Sequence, residues 1–440
     1  MRFAAAPEYE VFPSQDMVLK PYVAAVRASG STREVIRSCD PEVVVADIIT
    51  SAASLAAQVE GRRWATLIPH VMPTGAPGFP IYSIGAVHPR TALGRRFWSR
   101  VRPLVMRGEE QGRVELNGAR ERIGLPPLPY THGGISRELA IVATFPQLEY
   151  PRAGGWPETS PRLQDPRAGG WPEAPPRLQD PRAGGWPETS PRLQEPASGE
   201  RPGAQAQLPE AAPGVWPGMR VTGPLLWEQP FGDVELPPGD EPLVLVAPST
   251  SQDPEQKLVR AALEGLADSP VRVLASLNRR PLPAPVAIPA NARLVDWVSY
   301  ARTMPLCDAV VCHAGHGTIA RSLACGVPVV ACGHAGDQAE NAARIRWAKV
   351  GVSLPRRFQT PTGVRLAVHR LLADPSYRRR AEELRDWAAA NDGRAAAADA
   401  VEALADAPAS DPGPPPAPSS GHANPPTSPA PDHKSSQSAG

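Results

Sequence analysis

Short apolar runs and stretches with helical spacing take turns along most of this chain. Residues 42–48 (EVVVADI) form a continuous apolar run introduced by Pro41, the pattern of a strand buried on both faces of a parallel sheet. Further strands are predicted at 1–6, 64–71 and 138–145. Helical spacing of apolar positions marks 17–39, 50–61 and 91–123, with Gly61 closing the second and GLPPLP stopping the third. Strands alternating with helices of ten or more residues predict an α/β, doubly wound parallel sheet.

A second series of the same kind follows. Residues 219–224 are strand-like, and a linker with Pro230, Pro237, Pro238 and Pro242 leads to a strand at 243–250 (LVLVAPST). A helix is predicted at 253–268, strands at 271–277 and 293–298, and a helical, Ala/Arg-rich region at 362–405. The richest stretch is DAVVCHAGHGTIARSLACGVPVVACGHAGDQAEN (308–341), which reads strand, Gly-rich turn, helix, strand, polar loop, helix.

Between the two series the pattern vanishes. PRAGGWPETSPRLQD (151–165) recurs at 166–180 and 181–195 with almost no change. A fixed period can mean a solenoid. Here each unit carries three or four prolines, two glycines and one aromatic, which excludes a ladder or a helix. Residues 151–215 are expected to be a disordered or polyproline-like insertion, and the Pro/Ser/Ala/Gly tail at 406–440 to be disordered. The 56 prolines of the 440-residue chain concentrate in these two places.

A net charge of +1 gives neither a nucleic-acid footprint nor an acidic partner surface. No run of about 20 apolar residues suggests a membrane span. The N-terminus lacks the basic-then-apolar design of a secretory signal. Five cysteines, most in apolar runs, read as buried thiols of a cytoplasmic protein. Cys312, His313, His316, Cys325, Cys332 and His334 cluster in sequence, but their spacings match no zinc arrangement, so no metal is expected.

The chemistry starts at Gly315-His316-Gly317-Thr318. A helix starting there presents unpaired N–H groups and a partial positive charge, and glycines let a phosphate approach the backbone. GHGTIA also fits a dinucleotide fingerprint, with Asp337 about 20 residues on, which would make the chain an NAD-dependent oxidoreductase. Against that, the fingerprint belongs in the first βα unit of its domain, and three strand-like segments precede it here.

DWV (296–298), HAGHGT (313–318), GVPVV (326–330) and GDQAENA (336–342), in that order, resemble the GT-B nucleotide-sugar glycosyltransferases of family 1, bacterial natural-product type. Weaker similarity extends over 44–57, 122–129, 220–224 and 244–250. The resemblance implies two Rossmann-like domains facing a cleft. Residues 1–150 would be the acceptor-binding domain, 216–241 its last strand and the linker, and 242–405 the nucleotide-sugar domain. It also implies roles: Trp297 stacking on the base and the Val298 backbone bonding its edge. Ser249, Thr250, His313, Gly315, Gly317 and Thr318 would hold the diphosphate, and Asp337 and Gln338 the sugar hydroxyls. Without the resemblance, Asp337 could equally cap the next helix. The co-substrate would be a UDP- or dTDP-sugar, with no other cofactor, and transfer would invert the anomeric centre and use a small apolar acceptor.

Two departures from the family stand out. The family's general base is a His after its first strand, oriented by an Asp at the end of a later strand. Asp47 matches the orienting Asp, but the His has no counterpart. MRFAAAPEYE resembles the family's second strand, so the true start is expected upstream of Met1. His70, at a strand's C-terminal end, is the nearest substitute and is expected to line the acceptor pocket. Where family members carry a ribose-binding Glu, this chain has Arg321. A chain without its base could instead be an auxiliary nucleotide-sugar binder.

Overall fold

A computed structural model describes residues 23–152, 216–229, 231–249, 253, 255–334 and 336–408. The expected strand at 1–6, the repeats from residue 153 on and the tail beyond 408 lie outside the described residues.

The first half builds from helix α1 (Val23–Cys39), β1 (Val43–Asp47), α2 (Ser51–Val59), β2 (Arg63–Ile68), the long helix α3 (Ala92–Arg122), β3 (Ala140–Val142) and β4 (Met219–Val221). Its four strands are all parallel, in the order β1-β2-β3-β4. Thr91 caps α3 by accepting from Gly94 N. Of the predicted strand at 138–145 only three residues pair, and beyond them the chain turns into the buried Phe145-Pro146-Gln147-Leu148 corner. Among the described residues β1 lies at the edge of the sheet, with Val45 45% exposed, rather than buried on both faces.

The second half runs β5 (Leu243–Ala247), α4 (Lys257–Leu266), β6 (Arg272–Ser276), β7 (Ala292–Val295), a single turn α5 (Tyr300–Thr303), β8 (Ala309–Cys312), α6 (His316–Ala324), β9 (Val329–Ala331), α7 (Asp337–Ala348), β10 (Gly351–Ser353), α8 (Pro361–Ala373), α9 (Pro375–Ala390) and α10 (Gly393–Asp406). The sheet is parallel, in the order β10-β9-β8-β5-β6-β7. Alternation along each strand explains its two cores. Leu243, Leu245 and Ala247 face one side with Val310, Cys312, Ile319 and Leu323. Val244 and Val246 face the other with Ala309, Val311 and the α4 residues Leu258, Ala262 and Leu266. Helices therefore cover both faces, and both sheets are the parallel α/β type expected.

The chain then returns to where it began. Gly223 and Gly393 let the segment after β4 cross the start of α10: a Cβ on Gly393 would sit 2.8 Å from Gly223 C. Ala397 and Leu404 of α10 close the first sheet over Ala65, Leu139 and Ile141.

Candidate functional site

From β5 the chain moves outward to β6 and β7, then jumps back to place β8 on the other side of β5. That reversal makes the C-terminal ends of β5 and β8 a topological switch point, where open α/β sheets bind ligands. Ala247 pairs with Cys312 across it. Ser249, buried just past β5, and His313, just past β8, thus flank one crevice. Thr250 lies outside the described residues. The fingerprint turn follows the fourth strand of its sheet, which is not the first-unit position of a dinucleotide fold.

The turn itself is tightly specified. Ala314 sits at φ 63, a left-handed conformation unusual outside glycine. Its carbonyl accepts from Asn341 Nδ2 at 3.0 Å, which fixes that geometry from α7. Gly315 caps α6 at φ −64, so backbone freedom is not its purpose. A Cβ there would lie 2.2 Å from His313 Nε2: the residue is glycine because the imidazole lies over it. Gly317 faces open space. The first intrahelical bond is Ile319 N to Gly315 O, so the N–H groups of His316, Gly317 and Thr318 have no partner within the helix. Thr318 is 8% exposed and offers the cradle its backbone N–H. Burial pushes the Tyr300 phenol up to about 12, against the opposing hydrogen bond to Asn278.

His313 Nδ1 bonds the Ala247 carbonyl at 3.3 Å, so Nδ1 carries the proton and Nε2 is left over Gly315. Burial holds this imidazole below its ordinary range. His316, the first residue of α6, points the other way: Nε2 donates to Ala143 O, at the end of β3, at 3.3 Å. Burial first, and then the charge of nearby His70, press His316 down to about 4.

Trp297 is half-buried, with the Arg279 guanidinium 4.6 Å from its ring centroid. Arg279 and Asn278 both adopt positive φ in the turn after β6. Asn278 Nδ2 donates to Pro248 O at 2.7 Å, and so pins the β5 loop that carries Ser249. Val298 is a core side chain. Neither Asn278 nor Arg279 carried a sequence signal beyond a polar turn.

At the start of α7, the N-cap is Gly336 at φ 61, and Asp337 is the first helical residue. The Asp337 carboxylate accepts from Asn341 Nδ2 at 3.4 Å, within its own helix. Gln338 Oε1 accepts from His334 N at 3.3 Å and closes the loop before it. From the first half, Tyr82 approaches this end: burial, then the charges of Asp337 and Glu340, raise its phenol. Ser83 N donates to Glu340 Oε2 at 3.3 Å. His70 sits between, with Nδ1 2.8 Å from Val71 O and 3.5 Å from the Tyr82 hydroxyl. Asp47, by contrast, closes its own turn by accepting from Ile49 N at 2.9 Å. Arg321 is half-exposed on α6.

The halves are locked together beside the site. Arg344 of α7 lies buried between Glu340 (2.8 Å) and Glu149 (3.4 Å), with its guanidinium carbon 3.4 Å from the Tyr150 ring centroid.

Two parallel α/β sheets, with a crevice at the switch point of the second, match solved glycosyltransferases. The glycotransferase of kitacinnamycin aligns with a TM-score of 0.60 over 89% of this chain and 84% of its own, at 19% identity. The fold is GT-B. Residues 260–404 match the erythromycin biosynthesis protein CIII-like C-terminal domain. A 4'-demethylrebeccamycin synthase of Lentzea aerocolonigenes is 33% identical over 166 residues, 37% of this chain and 38% of that protein. UDP-glycosyltransferase 2 of Phaeomoniella chlamydospora is 33% identical over 171 residues, 38% of each chain. The chain thus spans about two fifths of the length of these curated relatives. Among the described residues, no helix of this GT-B chain is long and apolar enough to cross a membrane.

Proposed function

We propose that the chain transfers a sugar from a UDP- or dTDP-sugar to a hydroxyl of a small apolar acceptor, with inversion. One observation carries the reading: a glycine-capped helix start whose first three N–H groups have no partner among the described residues, at the switch point, between an Arg-backed Trp297 and the Asp337-Gln338 helix start. In this reading the base stacks on the free face of Trp297. The diphosphate lies on His316, Gly317 and Thr318 N–H beside His313, and sugar hydroxyls meet Asp337 and Gln338. As the glycosidic bond to phosphate breaks, negative charge grows on the diphosphate where these donors are already aimed.

The acceptor must lose a proton as it attacks. His70 is the residue we assign to this. Its Nδ1 can only donate to the Val71 carbonyl, which leaves the Nε2 lone pair as a base. The proton moves from the acceptor oxygen to Nε2, the new C–O bond forms at the anomeric carbon, and the old bonding pair leaves with the diphosphate. A second reading, a nucleotide-sugar binder without turnover, is favoured by Asp47, whose carboxylate is engaged by its own turn.

Calorimetric titration of UDP and dTDP into the full chain, followed by assay of nucleoside diphosphate release, tests these. Binding with release that His70→Gln abolishes, at unchanged nucleotide affinity, is the expected result. Binding without release selects the second reading. Failure of both nucleotides to bind at millimolar concentration overturns both.

A further inference from the structure

The first half of α3 has no counterpart in the mechanism. The helix is 31 residues long, yet its buried residues are Leu116, Ala119 and Arg120, all near its C-terminal end. Upstream of them, Leu93, Phe97 and Leu104 are 77%, 57% and 64% exposed. At about 100° per residue they fall within roughly 40° of one another, a single apolar row along the outer side of the helix. Arg96, Arg100 and Arg107, all exposed, form the adjoining row. None of these three has a carboxylate partner among the described residues. From Arg90 to Gly108 the sequence holds six arginines and no acidic residue. The opposite side of the helix, with Trp98, Arg102 and Val105, lies over the Phe79–Tyr82 loop, so the helix is held from below and bare above.

A helix draws most of its stability from covering an apolar face, and nothing described covers this one. An apolar row bordered by arginines on a helix of low net hydrophobicity is the design of a helix lying in a membrane interface. We propose that residues 92–107 dock this protein on an anionic lipid surface, with Leu93, Phe97 and Leu104 in the acyl boundary and Arg96, Arg100 and Arg107 on lipid phosphates. Charge decides for lipid: the surface is cationic throughout, and a bilayer offers anions and hydrocarbon side by side.

Co-sedimentation of the full chain with vesicles tests this, using phosphatidylcholine and phosphatidylglycerol at about two to one against phosphatidylcholine alone. The chain should bind the anionic vesicles, should leave them at about 0.5 M salt, and should ignore the neutral ones. Each arginine removed should weaken partition about fivefold, so Arg96→Gln with Arg100→Gln and Arg107→Gln should abolish it. Leu93→Asp with Phe97→Asp should do the same. Both variants alter only exposed side chains and should keep the parent's thermal unfolding. Equal binding to neutral vesicles, binding that survives both variants, or no binding at all overturns the proposal. So does sedimentation velocity showing a dimer that Phe97→Asp dissociates, because the row would then belong to a second copy.

Discussion

Replacing Arg344 by Met removes the cation that bridges two buried carboxylates. Glu149 and Glu340 are 0% and 3% exposed, and Arg344 itself 3%. Without the guanidinium, each carboxylate keeps a backbone donor: Met72 N for Glu149, and Ser83 N for Glu340. At an effective dielectric near 20, each contact supplies roughly 4 kcal/mol of Coulomb attraction, much of it offset by the cost of burying the charges. Breaking such a pair from one side costs about 3–5 kcal/mol, because the partner charge stays buried. Against a total stability of about 5–15 kcal/mol, that is a large share. Urea unfolding of wild type and variant, followed by fluorescence, should show a drop of that size. Adding Glu149→Gln to the variant strands one charge fewer and should recover at least about 1 kcal/mol. A loss below about 1 kcal/mol, or a double variant less stable than the single, would refute the claim that this arginine holds the two halves together.

The other outcomes concern the turn and its histidines. Gly315→Ala forces the His313 ring aside and should weaken nucleotide binding about tenfold. Gly317→Ala meets no protein atom within 4 Å, so it should leave stability equal or up to about 1 kcal/mol higher while still weakening binding, by calorimetry. Burial lowers the pKa of His313 in the free protein, and an anion against Nε2 raises it. Nucleotide binding should therefore take up a proton and tighten as pH falls toward 6, which titrations in buffers of different ionisation enthalpy would register. His316 is held near 4 when folded but titrates near 6.5 when unfolded. The unfolded state therefore binds more protons between these values. The stability contributed is complete above 6.5 and falls by up to about 3 kcal/mol as pH drops to 4. His316→Gln should flatten that slope in urea midpoints measured across the range.

Much of the fold is legible because buried parallel strands write themselves as apolar runs. The run at 243–250 needed no partner to be recognised, and GHGT announced its helix start by its glycines; the run at 42–48 marks a strand, but β1 leaves Val45 exposed rather than buried on both faces. What stayed hidden depends on distant partners. β10 is three residues, GVS, with no period to read; Gly351 is there because a Cβ would meet Val329 O at 2.0 Å. Nothing in AENAARIRWA shows that its Glu340 and Arg344 are buried, Arg344 against Glu149, 195 residues earlier. Asp337, which could also have read as a helix cap, stands one residue inside the helix that Gly336 caps.

The return of α10 to the first sheet has a consequence for synthesis. Arg63 donates to Leu404 O across 341 residues of chain. A ribosome adding about 5–20 residues per second needs roughly half a minute to cover that distance. Throughout that interval Ala65, Leu139 and Ile141 have no α10 to cover them, and they stay open to any passing apolar chain. The first half of this protein is made early and finished last.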